Sequence, residues 1–175
     1  MKSLIRLELI CIKEEELLQI AKWRNETLLS LRSIEPTPVN YEYQCKWVAS
    51  IEHEKYFFIY NETDFIGYCG LDKINKVNGT AELSLLIGKP FQGKGYGKQA
   101  VETLFKIAFD KEELQCVFIE VYNTTDNWVN FWFNLGFKLE GRLRRRKLWK
   151  RKYYNSVIAS ILKEEWEAMT PLVRS

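Results

Sequence analysis

The sequence predicts an α+β fold with a mixed sheet flanked by helices. Two observations carry that expectation. An N-terminal stretch of 3.6-residue periodicity gives way to runs rich in β-branched and aromatic residues around turn signals. From Thr80 onward, strand and helix patterns then alternate. The chain has 175 residues, the length of one domain, and a single domain over 1–175 is expected.

Residues 13–23 are predicted helical. Leu17, Ile20, Ala21 and Arg24 share a face, and Glu14, Glu15 and Glu16 suit the positive end of the helix dipole. Residues 24–40 are polar and contain Pro36 and Pro38, so loop or broken helix is expected there. A short helix follows around 43–51. Residues 56–60 and 65–71 read as a hairpin about the turn Asn61-Glu62-Thr63-Asp64. Asn78-Gly79 marks a second turn before a strand over Thr80–Ile87. Residues 98–109 form a predicted helix, with Val101, Leu104, Phe105 and Ala108 at helical spacing. Cys116–Tyr122 is the next strand. Asp126 can cap a helix that carries Trp128, Phe131, Trp132 and Leu135 on one face and ends at Gly136. The last strands are 138–143 and 154–162, separated by a basic segment.

That segment dominates the charge. The formal net charge is +3, from 26 basic and 23 acidic residues. Eight of the basic residues fall within 142–152: Arg142, Arg144, Arg145, Arg146, Lys147, Lys150, Arg151 and Lys152. The other 18 against 23 acidic residues leave −5, so a mildly acidic body carries one dense cationic stretch. It can meet an acidic substrate, a phosphate or RNA, or only solvent, its charges alternating with Leu143 and Leu148.

Several chemistries are excluded by composition. No stretch approaches the roughly 20 apolar residues of a membrane span. Residues 1–12 mix Lys2, Arg6 and Glu8 with apolar residues and lack a signal-peptide core, so a cytoplasmic protein with no membrane partner is expected. Cys11, Cys45, Cys69 and Cys116 are widely spaced without a C-x-x-C pair, and buried, reduced thiols are expected. His53 is the only histidine and lies in the polar stretch Glu52-His53-Glu54-Lys55, which argues against a zinc site or a Ser-His-Asp triad; no metal is expected.

The chemically informative stretch is the loop Gln92-Gly93-Lys94-Gly95-Tyr96-Gly97, which joins a strand to a helix. A helix start leaves backbone N–H groups unpaired and carries partial positive charge. Glycines admit a phosphate close to those groups, and Lys94 and Lys98 add charge. The Walker pattern G-x-x-x-x-G-K-[ST] is absent, and G-x-G-x-G does not meet the dinucleotide fingerprint G-x-G-x-x-G. The remaining alternative is a glycine-rich turn required by chain geometry alone.

This loop fits [RQ]-x-x-G-x-[GA], and on it the sequence resembles the GNAT N-acetyltransferase superfamily. Glu120-Val121, Leu135-Gly136-Phe137 and Glu140-Gly141-Arg142 follow in the family's order. Trp23-Arg24-Asn25 and the Glu-Gly-x-x-Arg tail are similar to the branch that acetylates ribosomal-protein N-termini, polyamines and nucleotide-linked amino sugars. The resemblance implies a largely antiparallel sheet with a splayed parallel strand pair, and acetyl-CoA as cosubstrate. Backbone of Leu85, Leu86 and Ile87 would then meet the pantetheine arm. Gln92, Gly93, Lys94, Gly95, Tyr96, Gly97 and Lys98 would meet the pyrophosphate, with Thr125 or Asn127 assisting.

Glu82 and Glu120 are the candidate general bases. On the period-two rule Glu82, Ser84 and Leu86 share one face, as do Phe118, Glu120 and Tyr122. Acids among apolar neighbours are expected to titrate high. Departures from the family pattern are Thr125, where an asparagine is common, and Trp132, where a tyrosine commonly protonates the thiolate. Trp132 lies on its helix's apolar stripe and is expected in the core, which leaves Tyr122, Ser84 or water as the acid, or no acid at all, since a CoA thiolate is a tolerable leaving group. Arg24, Asn25, Glu26, Arg32 and Tyr41 are candidates for the acceptor side. The expected acceptor is a primary amine of a small molecule, an amino sugar or a protein N-terminus, and the expected assembly is monomer or homodimer. The alternatives are a non-catalytic acyl-CoA-binding module and an RNA-binding protein using the basic segment; nucleic acid is not the expected partner, because no RNA-binding motif accompanies the charge.

Overall fold

A computed structural model describes residues 4–26, 38–51, 55–122, 126–149 and 151–169; the side chains of 26, 126–128 and 149 lie outside that description. Among the described residues seven strands form one sheet in the order β1-β2-β3-β4-β5-β7-β6. They are β1 (Arg6–Leu9), β2 (Lys55–Tyr60), β3 (Phe65–Asn75), β4 (Thr80–Ile87), β5 (Cys116–Tyr122), β6 (Lys138–Trp149) and β7 (Lys152–Leu162). The described helices are α1 (Glu14–Glu26), α2 (Tyr41–Ser50), α3 (Tyr96–Phe105), α4 (Asp126–Phe133) and α5 (Lys163–Met169). The chain divides into two compact units, one of residues 1–72 with 84–104 and one of 73–83 with 105–175.

In the first unit β1 pairs antiparallel with β2 (Arg6↔Tyr60 to Leu9↔Phe57), and β2 pairs antiparallel with β3. Leu17 and Ile20 of α1 pack with Phe58 and Tyr60 of β2 as a buried cluster, to which Tyr41, Cys45 and Val48 of α2 are added. Full burial of each such aliphatic or aromatic side chain contributes about 1.5–3 kcal/mol. The β2–β3 turn is set by Asn61, whose Oδ1 accepts from the Thr63 and Asp64 amides at 3.1 and 2.7 Å.

In the second unit β4 and β5 pair in parallel over three positions only, Thr80↔Cys116 to Glu82↔Phe118. β5 pairs antiparallel with β7 along its whole length, Cys116↔Leu162 to Tyr122↔Ser156. Trp132 is 4% exposed and meets Phe137 edge-on at 5.4 Å, which bears out core packing for this indole. Phe105, Phe109 and Trp166 continue the aromatic cluster.

The sequence-based elements stand with several corrections. β4 and β5 have the expected bounds. β1 was not expected: its burial is uneven, and Arg6 and Glu8 mask its alternation. α1 runs on through Glu26, into the stretch where loop or broken helix was expected; the Asn25 side chain both donates to the Val39 carbonyl and accepts from the Val39 amide, at 2.6 and 2.8 Å, which ties the helix end to the chain before α2. α2 begins two residues earlier than expected, because Asn40 Oδ1 caps the Tyr43 amide at 2.9 Å. α3 begins at Tyr96 and continues past Phe105 as a π-helical segment, Lys106–Lys111. α5 was missed. The basic stretch does not separate the last strands; it forms the distal part of β6 and the start of β7. Of the cysteines only Cys69 is buried, where desolvation pushes its thiol up; Cys45 and Cys116 are half-buried and Cys11 is exposed, against the expectation of burial. No described helix is long and apolar enough to cross a membrane.

Candidate active site

In the first unit β4 ends at Ile87, and Gly88 starts a single 3-10 turn, Lys89–Phe91. Gln92 turns back to donate from Nε2 to the Ile87 carbonyl at 2.8 Å, closing the loop on its own strand. Gly93 and Gly95 then adopt φ of 75° and 86°, a left-handed backbone that side chains disfavour. A Cβ at either position would meet nothing within 4 Å, so the space above both glycines is open. The first i→i−4 bond of α3 runs from the Gln99 amide to the Gly95 carbonyl at 3.2 Å. The amides of Tyr96, Gly97 and Lys98 precede it, in the turn where a helix leaves its donors unpaired. Lys94 lies over the Phe91 ring at 5.7 Å, and Lys98 is 3.7 Å from Glu102. Open space, left-handed glycines and helix-start amides fit a phosphate group.

The strand that feeds this loop is placed by two other glycines. A Cβ on Gly67 would lie 2.0 Å from the Leu86 carbonyl oxygen, and one on Gly88 would lie 2.4 Å from the Trp23 ring. Trp23 also stacks on Phe65 at 5.5 Å and meets Phe91 edge-on. Leu85, Leu86 and Ile87 are buried along this strand. Tyr56, buried, donates to Asp72 Oδ2 at 2.9 Å, and burial pushes its hydroxyl up.

In the second unit the two candidate carboxylates share a face. Glu82 is opposite Phe118 in the parallel register, and Phe118, Glu120 and Tyr122 alternate along β5. Glu82 is 7% exposed and its Oε2 accepts from Lys73 Nζ at 2.7 Å. Glu120 is more open. Its Oε1 accepts from Arg146 Nε at 3.0 Å and from Ser156 Oγ at 2.7 Å. Tyr122, half-buried, ends β5 opposite Ser156.

Glu120 does not titrate high. Burial raises its carboxyl, but the hydrogen bonds from Arg146 and Ser156, with the charges of Arg146 and Lys73, outweigh it and hold the group below the usual carboxylate range. The expectation from apolar neighbours is corrected because the cation arrives from β6, a strand remote in sequence.

Residues 17–137 match the Acetyltransferase (GNAT) family. The chain belongs to this family. It is 28% identical over 125 residues to the SPbeta prophage-derived uncharacterized N-acetyltransferase YokL of Bacillus subtilis, covering 70% of this chain and 71% of YokL. It is 30% identical over 113 residues to the uncharacterized N-acetyltransferase p20 of Bacillus licheniformis, covering 64% of each. Its fold superposes on spermidine N-acetyltransferase from Vibrio cholerae, solved with CoA and spermine, with a TM-score of 0.81 at 20% identity over 93% of this chain and 97% of that one.

Of the remaining candidates of this N-acetyltransferase, Arg24, Asn25, Glu26 and Tyr41 lie in the first unit. Arg24 lies over the Tyr43 ring at 5.8 Å. Both polar atoms of the Asn25 side chain bond Val39. Tyr41 packs, partly buried, against the α1–β2 cluster. Glu26 ends α1. Arg32, His53 and Thr125 lie outside the described residues, and Asn127 is placed in α4 by its backbone alone. Sequence reasoning missed Lys73, Arg146 and Ser156 as partners of the carboxylates. Arg146 was visible only as one of eight cations, and a serine in a strand carries no signal.

Proposed function

We propose that this acetyltransferase uses acetyl-CoA to acetylate a primary amine of a small molecule, an amino sugar or a protein N-terminus. Gly93, Gly95 and the amides of Tyr96, Gly97 and Lys98 would hold the pyrophosphate, with Lys94 and Lys98 adding charge; backbone of Leu85, Leu86 and Ile87 would meet the amide arm. When bound, acetyl-CoA supplies an activated thioester. The chain's own task is protonic, because an amine attacks only after losing a proton.

Glu120 is the proposed acceptor of that proton. The observation that carries this is its divided carboxylate: Oε1 takes both hydrogen bonds, and Oε2 has no partner among the described residues. Glu82 is buried against Lys73, so its proposed part is to hold that cation beside Glu120. Tyr122, two residues on along the same face, is the proposed proton source for the leaving sulfur.

Two measurements test the reading. Acetyl-CoA at a hundredfold excess over Kd should stabilise the protein by about 2.7 kcal/mol in a thermal melt. CoA release should then be followed with a panel of amines, amino sugars and N-terminal peptides. Glu120→Gln should lower kcat by roughly 10²–10⁴-fold with the acetyl-CoA shift intact. A variant with undiminished kcat removes Glu120 from the reaction, and CoA release with no amine overturns the proposed function.

A further inference from the structure

β6 and β7 lose register at the basic stretch. Leu143 pairs with Ser156 and Lys147 with Tyr154, so Arg144, Arg145 and Arg146 stand opposite Asn155 alone. The bulge is built in. Arg145 takes φ of 51°, a left-handed conformation that costs roughly 1–2 kcal/mol for a side-chain-bearing residue. Its amide donates to Asn155 Oδ1 at 2.8 Å, which holds the turn. Arg145 also lies over the Tyr153 ring at 5.9 Å.

This bulge and the two residues before it line an open depression of about 860 Å³, formed by Arg142, Leu143, Arg144, Arg145 and Arg146. All five are exposed. Four guanidinium groups therefore border one concavity. Among the described residues only Arg146 of the four pairs with a carboxylate, and that carboxylate is Glu120. Three cationic forks have no carboxylate partner among the described residues, and a regular two-stranded ladder would have spread them over both faces of the strand.

We infer that this arginine-lined depression binds a phosphate group carried by the acceptor, so that the enzyme's substrate class is a primary amine bearing a phosphate. This rests on the proposed acetyl transfer at Glu120. Guanidinium forks match phosphate oxygens in pairs, which a lysine cluster would not do as directionally. The wall of the depression ends at Arg146, whose Nε touches Glu120, so an anion seated there brings its amine within a side chain's length of the proposed proton acceptor. An anion that takes the Arg146 guanidinium also leaves Glu120 held by Ser156 alone. A polyamine, cationic throughout, meets repulsion at the same wall.

The test is isothermal titration of the full chain saturated with CoA, at low ionic strength, where exposed charges are least screened. The probes are O-phosphoethanolamine, ethanolamine and spermidine. O-phosphoethanolamine should bind at least about tenfold more tightly than ethanolamine, equivalent to about 1.4 kcal/mol, with spermidine weakest. Arg142→Gln/Arg144→Gln, which leaves the left-handed Arg145 untouched, should erase that advantage while retaining the parent melting temperature. Equal affinities, tighter spermidine, or no measurable phosphoethanolamine binding at millimolar concentration would overturn the inference. So would a variant that loses CoA affinity but keeps the phosphate preference, since the depression would then serve the donor. Failure of the acetyl-transfer reading is visible separately, as the absence of an acetyl-CoA melting shift, and the same titration without CoA still reports the phosphate preference.

Discussion

Arg146 Nε lies 3.0 Å from Glu120 Oε1, joining a bulge in β6 to the strand that carries the proposed base. Ser156 shares the same oxygen, and Lys73 adds its charge. Burial alone would make Glu120 a stronger base; these partners make it an ionised, readily available one.

Removing the guanidinium should reverse the balance. In Arg146→Met the Glu120 carboxyl should titrate at higher pH than in the parent, because burial remains while the largest opposing contribution is gone. Carbon-detected NMR of the side-chain carboxyl reads this directly. An unchanged titration would mean that Ser156 and Lys73 suffice.

Gly95→Glu should abolish stabilisation by acetyl-CoA. At φ of 86° any side chain is strained, so the unliganded protein should lose about 1–2 kcal/mol. The side chain enters the open space above the loop and brings negative charge toward the phosphates. A variant that melts lower but keeps the full acetyl-CoA shift would remove Gly95 from the cradle.

Gly67→Ala should be more damaging to stability than its size suggests. The added Cβ would lie 2.0 Å from the Leu86 carbonyl oxygen, which is backbone and cannot rotate away. A loss of about 2 kcal/mol or more in urea denaturation is expected. A cost near that of an ordinary surface change would show that the β3 backbone yields without penalty.

Stability should fall in acid with a defined sign. Glu8, Glu42, Glu120 and Glu165 are each held below the ordinary value of 4.5 by Lys13, Lys46, Arg146 or Lys138. A depressed folded-state pKa means the unfolded chain binds protons first, so this stabilisation is complete above about pH 4.5 and is lost as pH drops through the folded values. Denaturation midpoints should therefore decline below about pH 4.5, and less steeply at high salt because most of these pairs are exposed. A flat acid limb would contradict the pairing.

Much of the fold was legible along the chain, and the limits of that legibility are physical. β4 and β5 were readable to the residue, both as β-rich apolar runs; that of β4 is bounded by the turn signal at Asn78-Gly79 and by the glycine loop. The glycine loop was readable because glycine at left-handed positions and amides at a helix start are local properties. β1 and α5 escaped: one is a four-residue strand with charged alternation, the other a seven-residue helix whose single buried side chain is Trp166.

The sequence by itself determined the family loop, the two carboxylates on strands, and the concentration of cations at 142–152. The tertiary structure decided what those groups do to one another. Glu120 meets Arg146 and Ser156 only because β5, β7 and β6 lie side by side, and the arginines line one depression only because β6 bulges opposite Asn155. Hydrogen bonds and Coulomb forces act over a few ångströms in space, across 26 and 36 positions of sequence for these pairs, and no local pattern records them.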